Sequence, residues 1–160
     1  MAFFSFTQEI AIDLGTANTL IMYDDQIVVN EPSVVAISVA DNKCLAVGRK
    51  AQQMIGRGSQ QIRTVRPLKE GVIADFQACE MMIRGLIKMI PQKNRLFTPA
   101  IRMVVGIPSG CTEVEIRAVR DSCEHAGGRE IYMLYEPMAA AIGIGIDVEA
   151  PEGCMVVAIG

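Results

Sequence analysis

A chain of 160 residues suits one ordinary domain, or one lobe of something larger. Hydrophobic residues make up 51% and charged residues 21%, which excludes a disordered chain and requires a sizeable core. The net charge is −3 with no basic stripe, which argues against a nucleic-acid partner. Aromatic residues are only 5% and Trp is absent, so the core is aliphatic, with Met as filler. Five Cys occur without any CxxC pair, which fits reduced thiols better than zinc or a disulfide framework. No apolar run is long enough to span a membrane as a helix, and the N-terminus lacks the basic and long apolar regions of a secretory signal.

The chain opens with apolar stretches at Ile10–Leu14, Thr19–Tyr23 and Ile27–Asn30, separated by Gly15–Asn18 and by Asp24-Asp25-Gln26. This predicts three successive strands joined by tight turns. Glu31-Pro32-Ser33 breaks the pattern, and Val34–Val39 with Cys44–Val47 reads as a further hairpin. Residues 49–66, rich in Arg and Gln, read as a polar helix and a surface connection. A small subdomain inserted at about 32–75 is the simplest division, leaving 1–31 and 76–160 as the main body.

Cys79, Met82, Ile83, Leu86, Ile87 and Ile90 share one face of a helix, with Asp75 as cap and Pro91 as stop. Pro91–Pro99 reads as a loop, and the nearly all-apolar Ile101–Ile107 as a parallel strand buried on both faces. Thr112-Glu113-Val114-Glu115 has the capping-box pattern. The helix behind it places Ile116, Val119, Cys123 and Ala126 on one stripe and ends at Gly127-Gly128. A strand at Ile131–Leu134, a short helix starting at Pro137 and a last strand at Met155–Ile159 complete the series. Three antiparallel strands followed by alternating helices and strands predict an α/β fold: a mixed sheet flanked by helices, in the ribonuclease-H-like layout. A stop at Gly160, inside a strand, suggests the front portion of a longer protein.

The sharpest local pattern is Asp13-Leu14-Gly15-Thr16-Ala17-Asn18-Thr19. A carboxylate at a strand end precedes a glycine turn whose successive N–H groups can form an anion nest. Gly15 allows close approach or positive φ, and Thr16 and Asn18 can add side-chain bonds. Asp13 can hold Mg²⁺ near phosphates through water. An ordinary glycine hairpin has the same pattern. Glu136, directly after a strand and before Pro137, sits where ligands gather in open sheets and can orient a water. A helix-terminal Glu favoured by the dipole is the alternative. His125 falls late in its helix and belongs to no Ser-His-Asp arrangement. Leu96 and Phe97, flanked by Lys93 and Arg95, suit an anionic membrane surface, as do Phe3, Phe4 and Phe6. Burial in the core is the competing reading for both groups.

Four separated motifs resemble the MreB family of bacterial actin-like proteins. They are Ile12–Leu20, Asn30–Ala36, Arg66-Pro67 with Gly71–Phe76, and Glu136–Gly143, and the resemblance runs from about residue 9 to the end. It implies an actin-like fold, ATP binding with Mg²⁺, slow ATP hydrolysis and polymerisation into membrane-attached filaments that control cell shape. By resemblance, Asp13, Gly15, Thr16, Ala17 and Asn18 form the first phosphate loop, with Asp13 at the metal and Glu136 positioning the attacking water. The subdomain at 32–75 would make longitudinal filament contacts. Leu96 and Phe97 match the family's membrane loop, and Phe3 and Phe4 suit an apolar N-terminal membrane element. The expected partners are further copies of the protein, the inner face of the cytoplasmic membrane and other cell-elongation proteins. The expected location is cytoplasmic, peripheral to the inner membrane.

Family members continue after the last strand with an Asp-[Ile or Leu]-Gly-Gly-Gly-Thr loop. Here Ala158 stands at the Asp position and the sequence stops at Gly160. Without that clamp and a second lobe, this chain is expected to bind ATP weakly or not at all and to turn it over poorly. Two other readings stay open: a metal-dependent enzyme of ribonuclease-H-like layout using Asp13, and a lobe that acts only as a filament-binding module.

Overall fold

The computed structural model describes residues 7–56, 60–69, 71–91 and 100–157. Alternation makes the first strand: in β1 (Thr7–Leu14), Ile10, Ile12 and Leu14 are buried while Glu9, Ala11 and Asp13 face outward. β2 (Asn18–Tyr23) returns antiparallel, and β3 (Gln26–Pro32) follows it. Asp24 and Asp25 both take positive φ, as a two-residue hairpin turn of the right twist requires. β9 (Ala100–Ile107) runs parallel to β1, and β10 (Gly128–Tyr135) parallel to β9. The resulting five-stranded sheet is mixed, as the element pattern predicts, and its strand order is β10-β9-β1-β2-β3.

Two helices cover one face of this sheet. α2 (Phe76–Ile87) buries Cys79, Met82, Ile83 and Leu86, and its Asp75 cap accepts the Ala78 N–H at 3.0 Å. α3 (Glu113–His125) starts at a complete capping box between Thr112 and Glu115 and buries Val119, Ser122 and Cys123. Those side chains meet Ile10, Ile12, Leu14, Met103, Val105 and Ile107 of the sheet in one aliphatic core.

The stretch between β3 and α2 builds a second sheet. β4 (Val35–Ser38) lies between β5 (Cys44–Val47) and β6 (Ile62–Val65), antiparallel to both. α1 (Gly48–Gln52) follows β5, and β7 (Leu68–Lys69) pairs with β8 (Val72–Ile73). One face of β4 belongs to each core: Val35 and Ile37 join the main cluster, whereas Ala36 packs with Val34 and Ala51.

Three expectations are corrected, and two short strands go beyond them. The polar helix expected over 49–66 shrinks to α1, and Ile62–Val65 form a strand whose partner, β4, is remote in sequence. β7 and β8 are too short to leave a periodic signal. β9 is buried on one face only, because both covering helices lie on the same side. Met103 and Val105 are fully buried, but Val104 is 37% exposed. Of the strand expected at Met155–Ile159, residues 155–157 join no sheet and are largely exposed, since an apolar run becomes a strand only where a neighbour supplies the ladder. Ala158 and Gly160, like Phe3, Phe4, Phe6, Leu96 and Phe97, lie outside the described residues.

Candidate functional site

Parallel register gathers the site. Asp13 of β1 stands beside Gly106 of β9, which stands beside Leu134 of β10, all at the C-terminal ends of their strands. Glu136 follows β10 directly and opens α4 (Glu136–Gly143), with Pro137 in its first turn. Gly106 separates the two carboxylates in the sheet. A Cβ there would stand 3.6 Å from Glu136 Cγ, so a larger side chain would crowd the glutamate. Asp13 and Glu136 line the same cavity of about 480 Å³, together with Leu20, Gly106, Leu134 and Ala139.

Partial loss of water raises the Asp13 carboxyl above its ordinary value. The same desolvation raises Glu136, and repulsion from Asp13 adds to it. The structure thus brings together the two acidic residues singled out from sequence, as a like-charge pair. A cation between them would relieve that repulsion. Cys111, in the loop after β9, feels both Glu115 and Glu136, and its thiol is pushed up, chiefly by burial. Among the described residues no group of three His, Cys, Asp or Glu side chains stands close enough to hold a metal.

The turn after Asp13 is fixed from below. Gly15 is required by close approach and not by positive φ, because a Cβ there would collide with the Asn18 carbonyl oxygen. The Ser33 hydroxyl donates to the Gly15 carbonyl at 2.6 Å, and the Ser33 N–H donates to the Ala17 carbonyl at 2.9 Å. Thr19 Oγ1 lies 2.9 Å from Ser33 Oγ, and both side chains are buried. From above, the Gly71 N–H donates to Thr16 Oγ1 at 2.9 Å. Gly71 has φ +79°, and a Cβ on it would strike Pro108 of the β9–α3 loop at 2.8 Å. The Thr16 hydroxyl keeps its own proton to donate. Thr16, Ala17 and Asn18 are exposed.

Sequence reasoning found the loop and Glu136, included Thr19 in the pattern without giving it a role, and did not find Ser33, Gly71 or Gly106 as parts of this site. Ser33 and Gly71 fall in motifs already noted, which was the signal available. His125 stands apart: its Nδ1 lies 3.2 Å from Glu80 Oε2, and its ring meets Phe76 edge-on, in a contact between α2 and α3.

The sequence matches the MreB/Mbl protein family over residues 7–160. The chain belongs to the MreB/Mbl family. It is 48% identical to the cell shape-determining protein MreB of Escherichia coli strain K12, covering 97% of this chain and 46% of that protein. It is 45% identical to the cell shape-determining protein Mbl of Bacillus subtilis strain 168, with 97% and 46% covered. This MreB/Mbl chain therefore spans about half the length of the curated relatives it matches. Among solved structures, MreB5 of Spiroplasma citri bound to AMPPNP aligns with a TM-score of 0.73 at 34% identity, over 92% of this chain and 44% of that one. The MamK double helical filament aligns with a TM-score of 0.70 at 16% identity, over 86% and 43%, a likeness of fold alone. The mixed sheet with its flanking helices is the actin-like fold.

Proposed function

We propose that this chain is the N-terminal, nucleotide-binding lobe of an MreB-type filament protein. The observation that carries the reading is the convergence of the Asp13–Asn18 turn and Glu136 at the ends of three parallel strands, in a chain of this family. Support also comes from the Spiroplasma citri MreB5 structures, which are bound to AMPPNP and to ADP. Thr16, Ala17 and Asn18 are exposed residues of a turn whose backbone N–H groups can serve phosphate oxygens, and the Thr16 hydroxyl can add a donor. The raised, mutually repelling carboxyls of Asp13 and Glu136 suit a divalent cation and a nucleophilic water. In this reading Asp13 would hold Mg²⁺, which would supply neutralisation of phosphate charge. Glu136 orients and deprotonates the water attacking the terminal phosphate.

The family reading extends to polymerisation on the cytoplasmic face of the inner membrane and control of cell shape. The curated relatives, cell shape-determining proteins, are about twice this length. The test is an amide NMR titration of this chain with millimolar Mg-ATP, which detects weak binding. Shift changes concentrated at residues 13–18, Gly106 and Glu136, and lost in Asp13→Ala, are expected. Changes spread evenly over the surface, or none at saturating nucleotide, would overturn the proposal.

A further inference from the structure

We infer that Ser33 is a positioning residue: its buried hydroxyl and backbone N–H hold the Gly15–Asn18 turn in the conformation that presents N–H groups to phosphate. The inference rests on the nucleotide reading above and adds a residue that touches no ligand. Ser33 is fully buried, yet it makes two bonds to the exposed turn, one to the Gly15 carbonyl and one to the Ala17 carbonyl. A trans peptide points its N–H opposite to its C=O. Drawing the Gly15 and Ala17 carbonyls inward therefore turns the Thr16 and Asn18 N–H groups away from Ser33, which is the exposed side of the turn.

The proton order is fixed by valence. A carbonyl only accepts, so the single hydroxyl proton of Ser33 goes to Gly15. Ser33 Oγ then accepts, and Thr19 donates, across their 2.9 Å contact. Thr19 is 1% exposed, so the chain Thr19 to Ser33 to Gly15 runs inside the protein, where such bonds strengthen one another. Removing the Ser33 hydroxyl strands the buried Thr19 hydroxyl and the part-buried Gly15 carbonyl at once and frees the Gly15 peptide to rotate, which withdraws the Thr16 donor.

The test is an amide NMR comparison of wild type, Ser33→Ala and Thr19→Val, each recorded without ligand and then titrated with Mg-ATP. In Ser33→Ala the ligand-free shifts of Gly15–Asn18 should move while those of α2 and α3 stay, and Mg-ATP affinity should fall about tenfold, the scale of one charge-assisted bond. Thr19→Val keeps the Ser33–Gly15 bond and should lose about threefold. Should Ser33→Ala fail to fold, Thr19→Val still carries the comparison. Unmoved Gly15–Asn18 shifts, or unchanged affinity in a folded Ser33→Ala, would overturn the inference. If wild type itself shows no response to Mg-ATP, the nucleotide reading fails. The ligand-free shifts then decide the positioning role separately: moved, the turn is held by Ser33; unmoved, it is not.

Discussion

Gly85 of α2 faces Val47 of β5 closely, and it offers a signed test of how α2 packs on the second sheet. A Cβ at this position would stand 2.7 Å from both Val47 methyl carbons and 3.3 Å from Val47 Cβ. Carbon atoms prefer about 3.5–4.0 Å, so Gly85→Ala must push Val47, which is only 6% exposed, out of a packed site. Overpacking of this kind costs about 1–3 kcal/mol. Replacing this glycine, in the last turn of α2, by alanine returns up to about 1 kcal/mol of helix propensity. The net expectation is a loss of about 0–2 kcal/mol. In a Val47→Ala background both clashing methyls are gone and only the 3.3 Å approach to the Cβ of residue 47 remains, so the same substitution should instead be neutral or stabilise, by up to about 1 kcal/mol. Urea titrations followed by far-UV circular dichroism on the four proteins give the coupling, with unchanged m-values. If Gly85→Ala has the same effect in both backgrounds, within about 0.5 kcal/mol, the contact does not limit the packing of α2 on β5.

Other outcomes follow from the electrostatics and the caps. Asp13 and Glu136 hold their protons more tightly folded than unfolded, so their contribution to stability is present below the ordinary carboxylate range and is lost as pH rises through the raised values. Asp13→Asn and Glu136→Gln should therefore raise the melting temperature at about pH 7, and the gain should fade by about pH 3; a loss at neutral pH would refute the assignment. Thr112→Ala removes the side-chain half of the α3 capping box, in which the Glu115 N–H donates to Thr112 Oγ1 at 3.3 Å, and leaves the Thr112 N–H donating to Glu115 Oε2 at 2.7 Å; it should cost about 1 kcal/mol in urea titration, with Thr112→Ser close to wild type. Burial pushes the Cys79 and Cys123 thiols up to about 12, so both should resist a disulfide reagent until the chain unfolds, while exposed Cys44 and Cys154 react at once. Rapid native labelling of all five would contradict the packing of α2 on α3.

The parts of the fold legible in the sequence are those whose cause is local. The α2 stripe, the Asp75 cap, the Thr112–Glu115 box and the Asp24-Asp25 turn each depend on residues a few positions apart, and each stands as read. Two segments whose state depends on a distant partner were misread. Ile62–Val65 becomes a strand only because β4 accepts its ladder, and Met155–Val157 fails to become one because no described strand does.

The same division runs through the site. The sequence by itself determined the chemical groups, a carboxylate before a glycine turn and a glutamate before a proline, and four motifs that pointed to the family. Only the tertiary structure decided that Asp13 and Glu136 face one cavity, because parallel register alone sets three strand ends side by side. It also decided that Ser33 lies beneath the turn and Gly71 above it, since those bonds join residues 18 and 55 positions apart. Charge type and turn chemistry are properties of neighbours along the chain. Repulsion, desolvation and the aim of an N–H group are properties of neighbours in space, and only folding supplies those.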